Sequence, residues 1–295
     1  MEGTKAWRGL AKTTRDRVLW RTPGLQALVR GAARRRCVPR AFWRHLHPSG
    51  LWTLHAPDGT PFAYDSAYPH DGLARHIVWT DMRDWEAGTQ PVLFHLARQA
   101  EVFVDVGAYS GVYTLLACAA NPRLRTVAVE PNPLKLPQLR SNVAANGIAD
   151  RVTVIGKALS ARSGTASLAI PGDDSTASLR GSRPGDRVVN VDVTTGDVVL
   201  DGLRVGLVKI DVEGLESEVV RGMARVLRTH HPKIIAECLD PEALRELRHS
   251  TRELGYQHVY HLGADGPVTA TDRPFRPANY LFTIEPMTDR VMRNG

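Results

Sequence analysis

At 295 residues the chain is long enough for one large domain, or one domain with an appendage, and for a well-buried core. Its 43% hydrophobic content, with ordinary Gly and Pro levels, excludes a disordered or collagen-like polymer, and no apolar run of about 18 residues exists to span a bilayer. The net charge of +7 is unevenly placed: residues 1–47 hold twelve Lys/Arg against Glu2 and Asp16, so the remainder is mildly acidic.

The first 47 residues read as basic helices broken near Pro23 and Pro39. Leu25, Leu28 and Val29 repeat at helical spacing, with Arg30, Arg34 and Arg35 mostly elsewhere around the helix, which is the pattern of a solvated basic face. The competing reading is an arm for an anionic partner, including weak peripheral contact with a membrane surface. No apolar stretch follows the basic start, so no secretory signal is expected. Cys37, Cys118 and Cys238 are odd in number and far apart, which fits reduced thiols in a cytoplasmic protein.

Leu51–His55 and Phe62–Tyr64 flank Pro57-Asp58-Gly59-Thr60, a hairpin signal. An aromatic and polar stretch with Trp79, Trp85 and Glu86 precedes the helical run Val92–Arg98. From residue 101 strands and helices alternate: strands at 102–106, 125–130, 152–155, 207–210 and 233–237, helices at about 111–120, 134–145 and 215–228. A polar insert at 160–187 contains a short strand, 166–170, and is followed by another at 188–193. A helix at about 241–254 and strands at 258–262 and 280–284 close the chain. The alternation predicts an α/β fold with a mostly parallel, doubly wound sheet and an antiparallel last strand. Residues 1–90 are expected to form a helical and hairpin extension on the acceptor side, and 91–295 the cofactor-binding domain.

Asp105-Val106-Gly107-Ala108-Tyr109-Ser110-Gly111 stands between the first core strand and its helix. A strand, a glycine turn and a helix start form a nucleoside-binding corner of an open α/β sheet. A dinucleotide site needs three glycines to approach a pyrophosphate; here there are two, and a carboxylate stands where pyrophosphate would be repelled. S-adenosylmethionine (SAM) has no phosphate and carries an ammonium and a sulfonium, so it suits this corner. Glu130 ends the second strand, where an acid accepts both ribose hydroxyls, and Pro131 and Asn132 shape the loop against the base. Lys157 and Ala158 follow the third strand, in a loop that borders the adenine in such folds. Asp211 ends the fourth strand beside the first, where a transferable methyl points, and Glu213 lies at the next loop-to-helix junction. An alcohol acceptor needs a base within hydrogen-bond reach; Asp211 is the first candidate and Glu213 the second, with His70 and His76 behind them. No metal-ligand set is assigned.

These blocks resemble the FkbM family of SAM-dependent methyltransferases. The resemblance is carried by Trp85-Glu86, Val104 to Gly111, Glu130-Pro131-Asn132-Pro133, Asn142 to Asn146-Gly147, the block Lys209-Ile210-Asp211-Val212-Glu213-Gly214-Leu215-Glu216, and the strand ending at Glu237. It implies a Rossmann-like class I methyltransferase fold and SAM as cofactor. Its site would hold Glu86, Asp105, Gly107, Ala108, Tyr109, Ser110, Gly111 and Glu130, and transfer would be to a hydroxyl oxygen of a polyketide, sugar or glycan. The family usually has asparagine where Tyr109 stands. Two rivals are a nucleic-acid methyltransferase, which Asp211-Val212-Glu213-Gly214 fits poorly, and a SAM-binding protein without transfer.

Overall fold

The computed structural model describes residues 23–43, 46–68, 71–171, 177–264, 266–270 and 275–287. The arm before Pro23, His70 and part of the polar insert lie outside these residues.

A helix at Pro23–Arg34 and a single turn at Arg40–Trp43 lead into strands β1 (Leu51–His55) and β2 (Pro61–Asp65), paired antiparallel around Gly59 at φ 88°. A short helix, Ala74–Ile77, and a helix at Thr89–Ala97 follow. Then come β3 (Val102–Val106), a helix at Val112–Ala120, β4 (Arg125–Val129), a helix at Leu136–Ala145, and β5 (Val152–Ile155). Strands β6 (Ala158–Leu159), β7 (Gly164–Ile170) and β8 (Arg187–Thr194) are followed by β9 (Val205–Ile210) and β10 (Lys233–Cys238). After the helix Pro241–Arg252 come β11 (His258–Gly263), β12 (Gly266–Thr269) and β13 (Ala278–Thr283).

The main sheet runs β12-β11-β13-β10-β9-β3-β4-β5. Strands β5, β4, β3, β9 and β10 are parallel, and β13 slots antiparallel between β10 and β11. This is the Rossmann-like class I methyltransferase arrangement, with the strand order reversing between β3 and β9. The central strands are apolar on both faces because helices cover both. Alternation along them gives two cores: Phe103, Leu207, Ile235 and Leu281 on one face, Val104, Val208, Ile234 and Phe282 on the other. The first core also takes in Leu54, Tyr64, Trp79 and Leu93, so it is continuous across residue 90.

Polar side chains dock the β1–β2 hairpin onto the helix Leu136–Ala145. Asn142 Oδ1 accepts from Asp65 N at 2.6 Å; Asn146 Oδ1 accepts from Ala63 N at 2.8 Å while its Nδ2 donates to Ala63 O at 2.7 Å. Two side-chain amides thus satisfy the free edge of β2.

Two local expectations need correction. The helix read as continuous over 215–228 is two, Glu216–Gly222 and Ala224–His230, broken at Met223. Gly222 sits so close to Ser160 that a Cβ would lie 2.0 Å from its carbonyl oxygen, and the chain turns there to keep that contact. The insert is more ordered than its composition suggests: β7 and β8 pair antiparallel along their length, and β6 completes a separate three-stranded sheet. The sequence shows strands at 166–170 and 188–193 but neither their pairing with each other nor β6, which only the fold brings together.

Candidate active site

The carboxyl ends of β3, β4, β9 and β10 open into a cavity of about 360 Å³. Asp105, Gly107, Ala108, Tyr109, Glu130, Pro131, Asn132, Ala158, Asp211 and Glu213 all line it, and Glu86 closes it from the segment before β3. Chain segments far apart in sequence thus supply one pocket, as expected at a topological switch point.

The turn after β3 is held by its neighbours. Gly107 and Ala108 N–H groups both donate to Val129 O, at 2.9 and 3.0 Å. Glu130 is buried; its Oε2 accepts from Tyr109 N and its Oε1 from Asn132 N, each at 2.7 Å. Burial pushes this carboxyl up to about 7, against those two N–H donors, which hold it down. Tyr109 lies in the left-handed region at φ 51°, which among non-glycine residues asparagine tolerates most readily. The tyrosine is fixed by its N–H bond to Glu130 and by the Lys135 ammonium 4.5 Å above its ring.

Across the sheet, Asp105 on β3, Lys209 on β9, Asp211 beyond it, Glu237 on β10 and Asn279 on β13 occupy one face. The registers Asp105↔Lys209 and Glu237↔Asn279, and the level of Asp211 with Glu237 set by Ala236↔Ile210, follow from strand alternation. Lys209 Nζ donates to Asp211 Oδ2 at 2.9 Å and lies 5.3 Å from the Tyr113 ring. Burial works to strip the Lys209 proton, but Asp211, Glu86 and Glu237 outweigh it and hold the ammonium above its ordinary range. Glu86 Oε2 accepts from the Tyr113 hydroxyl and from Asn279 Nδ2. Asp105 Oδ2 accepts from Thr114 Oγ1 at 2.7 Å, and burial raises the acid to about 6. Burial, then Asp211 and Glu216, raises Glu213 to about 7. Burial and Asp211 push Glu237 well above the carboxylate range. One buried cation therefore faces a surplus of carboxylates, an environment that attracts positive charge.

Three expected contacts fall elsewhere. Ser110 is fully buried behind the turn, with Tyr64 OH 2.9 Å from its Oγ and Asn142 Nδ2 donating to its carbonyl at 2.7 Å. Gly111, at φ 88°, starts the helix Val112–Ala120, where a Cβ would meet Leu139 at 2.5 Å; it serves helix packing. Lys157 is half-exposed and pairs with Asp192 at 3.6 Å, outside the cavity lining, while its neighbour Ala158 does line it. Of the aromatic candidates, Trp85 lines the cavity and packs 5.0 Å from Tyr113, whereas Trp79 is core, its indole donating to Leu46 O at 2.8 Å. His76 reaches the cavity wall beside Arg75.

Lys209, Tyr113 and Asn279 were not singled out from the sequence. Lys209 carried a signal, since a lysine inside an otherwise apolar central strand needs a buried partner. Leu168 of β7, with Ala177 and Leu179 from the segment between β7 and β8, lines the cavity as an apolar wall, as do Leu73 and Trp85. Among the described residues no group of three or more His, Cys, Asp or Glu is arranged to hold a metal ion, and no described helix is long and apolar enough to cross a membrane.

The family model "Methyltransferase FkbM domain" matches residues 105–258, slightly more than half of the chain. A Halobacterium salinarum protein named "Probable cobalt-precorrin-6B C(15)-methyltransferase (decarboxylating)" is 30% identical over 119 residues, covering 40% of this chain and 57% of that protein. "Methyltransferase sdnD" of Sordaria araneosa is 27% identical over 175 residues, covering 48% of this chain and 68% of that one. A solved structure of methyltransferase FkbM from Methylobacillus flagellatus superposes with a TM-score of 0.41 at 17% identity, covering 72% of this chain and 55% of the other. The chain thus spans little more than half the length of the Halobacterium and Methylobacillus proteins.

Proposed function

The chain belongs to the FkbM methyltransferase family, and from that premise we propose that it is a SAM-dependent O-methyltransferase acting on a hydroxyl of a small-molecule acceptor. The observation that supports this best is the row Asp105, Lys209–Asp211 and Glu237 at the strand ends, on the floor of the cavity that Glu130 and the Gly107 turn also line.

The lining fits the cofactor. Glu130 keeps lone pairs free for ribose hydroxyls after accepting its two N–H bonds. Asn132 Nδ2 is buried and has no hydrogen-bond partner among the described residues, a donor waiting for an acceptor such as an adenine nitrogen. The acidic floor suits an ammonium and a sulfonium. Bound SAM supplies an electrophilic methyl on positively charged sulfur.

The protein's part is alignment and exclusion of water, and alignment alone is worth about 7–11 kcal/mol of barrier. Asp211, fixed by Lys209, accepts the hydrogen bond of the acceptor hydroxyl and turns an oxygen lone pair toward the methyl. Glu213 borders the acceptor entrance. Leu73 and Trp85 on one segment, with Leu168, Ala177 and Leu179 from β7 and the segment after it, enclose an acceptor with a largely apolar body. Incubation with methyl-labelled SAM and a panel of phenolic, polyketide-like and sugar alcohols tests the reading. Label in an O-methyl ether, lost by about 100-fold or more in Asp211→Asn with SAM binding retained, supports it. Near-normal turnover in Asp211→Asn removes Asp211 from the reaction.

A further inference from the structure

The carboxylates around the cavity floor do not have equal partners. Asp211 is tied to the Lys209 ammonium at 2.9 Å, which engages one of its oxygens. Asp105 accepts from Thr114, and Glu86 from Tyr113 and Asn279. Glu237 lines the same cavity with no hydrogen bond or ion pair among the described residues. It stands level with Asp211 on the adjacent parallel strand, so two carboxyls share one site beside the Lys209 ammonium. Its cross-strand partner Asn279 donates through Nδ2 to Glu86 but leaves Oδ1 buried with no donor. A protonated Glu237 is a donor of the right kind in the right register.

We infer that Glu237 is the proton-carrying catalytic residue of this site: it holds a proton in the cofactor-free protein, gives it up when a sulfonium occupies the cavity, and then takes the acceptor hydroxyl proton. The inference rests on the methyl-transfer reading above and goes beyond it by separating alignment, by Asp211, from proton acceptance, by Glu237. The groups facing Glu237 account for both states. Lys209 stands on β9, Asp211 just beyond its end, Glu213 on the loop after it, Glu86 before β3, and Asn279 on β13. Their summed charge is negative, which favours the neutral carboxyl; one added positive charge in the cavity reverses that preference. In the transfer step the acceptor oxygen forms the new C–O bond, the C–S pair stays on sulfur as a thioether, and the O–H proton passes to Glu237, which releases it to solvent when the next SAM binds. Loss of the sulfur charge restores the preference for a protonated Glu237, so the site is reset by the reaction itself.

The test needs no acceptor. Calorimetric titration at pH 7 in phosphate and in Tris, whose ionisation enthalpies differ, counts protons released on binding SAM and on binding S-adenosylhomocysteine, its uncharged-sulfur product. The expected result is a larger release with SAM, by up to one proton, and no such excess in Glu237→Gln. Infrared difference spectra of the unaltered protein give an independent readout: SAM removes a protonated-carboxyl band and the product does not. Equal proton counts for the two compounds, or an excess that survives Glu237→Gln, overturns the inference while leaving the cofactor assignment intact. Failure of both compounds to bind overturns the cofactor assignment and the inference together.

Discussion

A Cβ on Gly107 would lie 1.8 Å from the carbonyl oxygen of Asp211. The Asp211 N–H in turn donates to Val106 O at 2.9 Å. The turn after β3 and the acidic end of β9 are therefore one packed unit, and the glycine is what lets the two approach.

Gly107→Ala follows directly. The residue has φ +82° and the obstacle is backbone, which cannot swing aside. The variant is expected to lose about 2–4 kcal/mol of stability in urea unfolding, from overpacking and left-handed strain together. A loss below about 0.5 kcal/mol would show that the two loops can part.

Glu130→Gln keeps the size of the side chain and removes its charge. If Glu130 holds both ribose hydroxyls, SAM affinity falls about 10- to 100-fold by calorimetry, the size expected for hydrogen bonds to a charged acceptor. Unchanged affinity would place the ribose elsewhere.

Asn142→Ala removes the acceptor of Asp65 N, which is part-buried, and the donor to Ser110 O, which is buried. Each orphaned backbone group costs about 1–3 kcal/mol. Because Ser110 backs the turn that carries Tyr109, SAM affinity is expected to weaken along with the lower unfolding midpoint. An unfolding midpoint that stays put would mean the hairpin is not docked through this residue.

The cofactor-free protein should lose stability as pH rises from about 5 to 8. Asp105 at about 6, and Glu130 and Glu213 at about 7, hold their protons more tightly folded than unfolded, where carboxyls titrate near 4. Between those values the folded state binds more protons, so each rise in pH favours unfolding until the folded values are passed. Urea midpoints at pH 5 and pH 8 check this; a midpoint that rises with pH contradicts it. SAM, by bringing positive charge, should reduce the loss.

Much of this site was readable in the sequence. Acids that interrupt apolar strands at their carboxyl ends, Asp105, Glu130 and Asp211, are visible because a buried strand has no other reason to end on a charge. Gly107 was readable for the same local reason. What escaped needed the third dimension. Ser110 belongs to the turn by sequence yet points into the Tyr64–Asp71–Gln138 network, where Tyr64 OH donates to Asp71 at 2.7 Å and Gln138 Nε2 does so at 2.6 Å. Gly111 serves Leu139, a contact between helices. Lys209 and Asn279 become site residues only when β13 inserts beside β10 and the register aligns their faces. The apolar wall of Leu168, Ala177 and Leu179 depends on β7 meeting β8 and on the Ala169–Ser178 bridge between them.

In the proposed complex SAM occupies the cavity above Gly107 with its ribose on Glu130 and its sulfur over the Asp211–Glu237 floor. A crystal structure with S-adenosylhomocysteine bound tests it most directly. The account predicts both ribose hydroxyls within hydrogen-bond distance of the Glu130 carboxylate and the thioether sulfur facing Asp211 and Glu237. A nucleoside bound away from Glu130, or sulfur directed away from those two carboxyls, would contradict it.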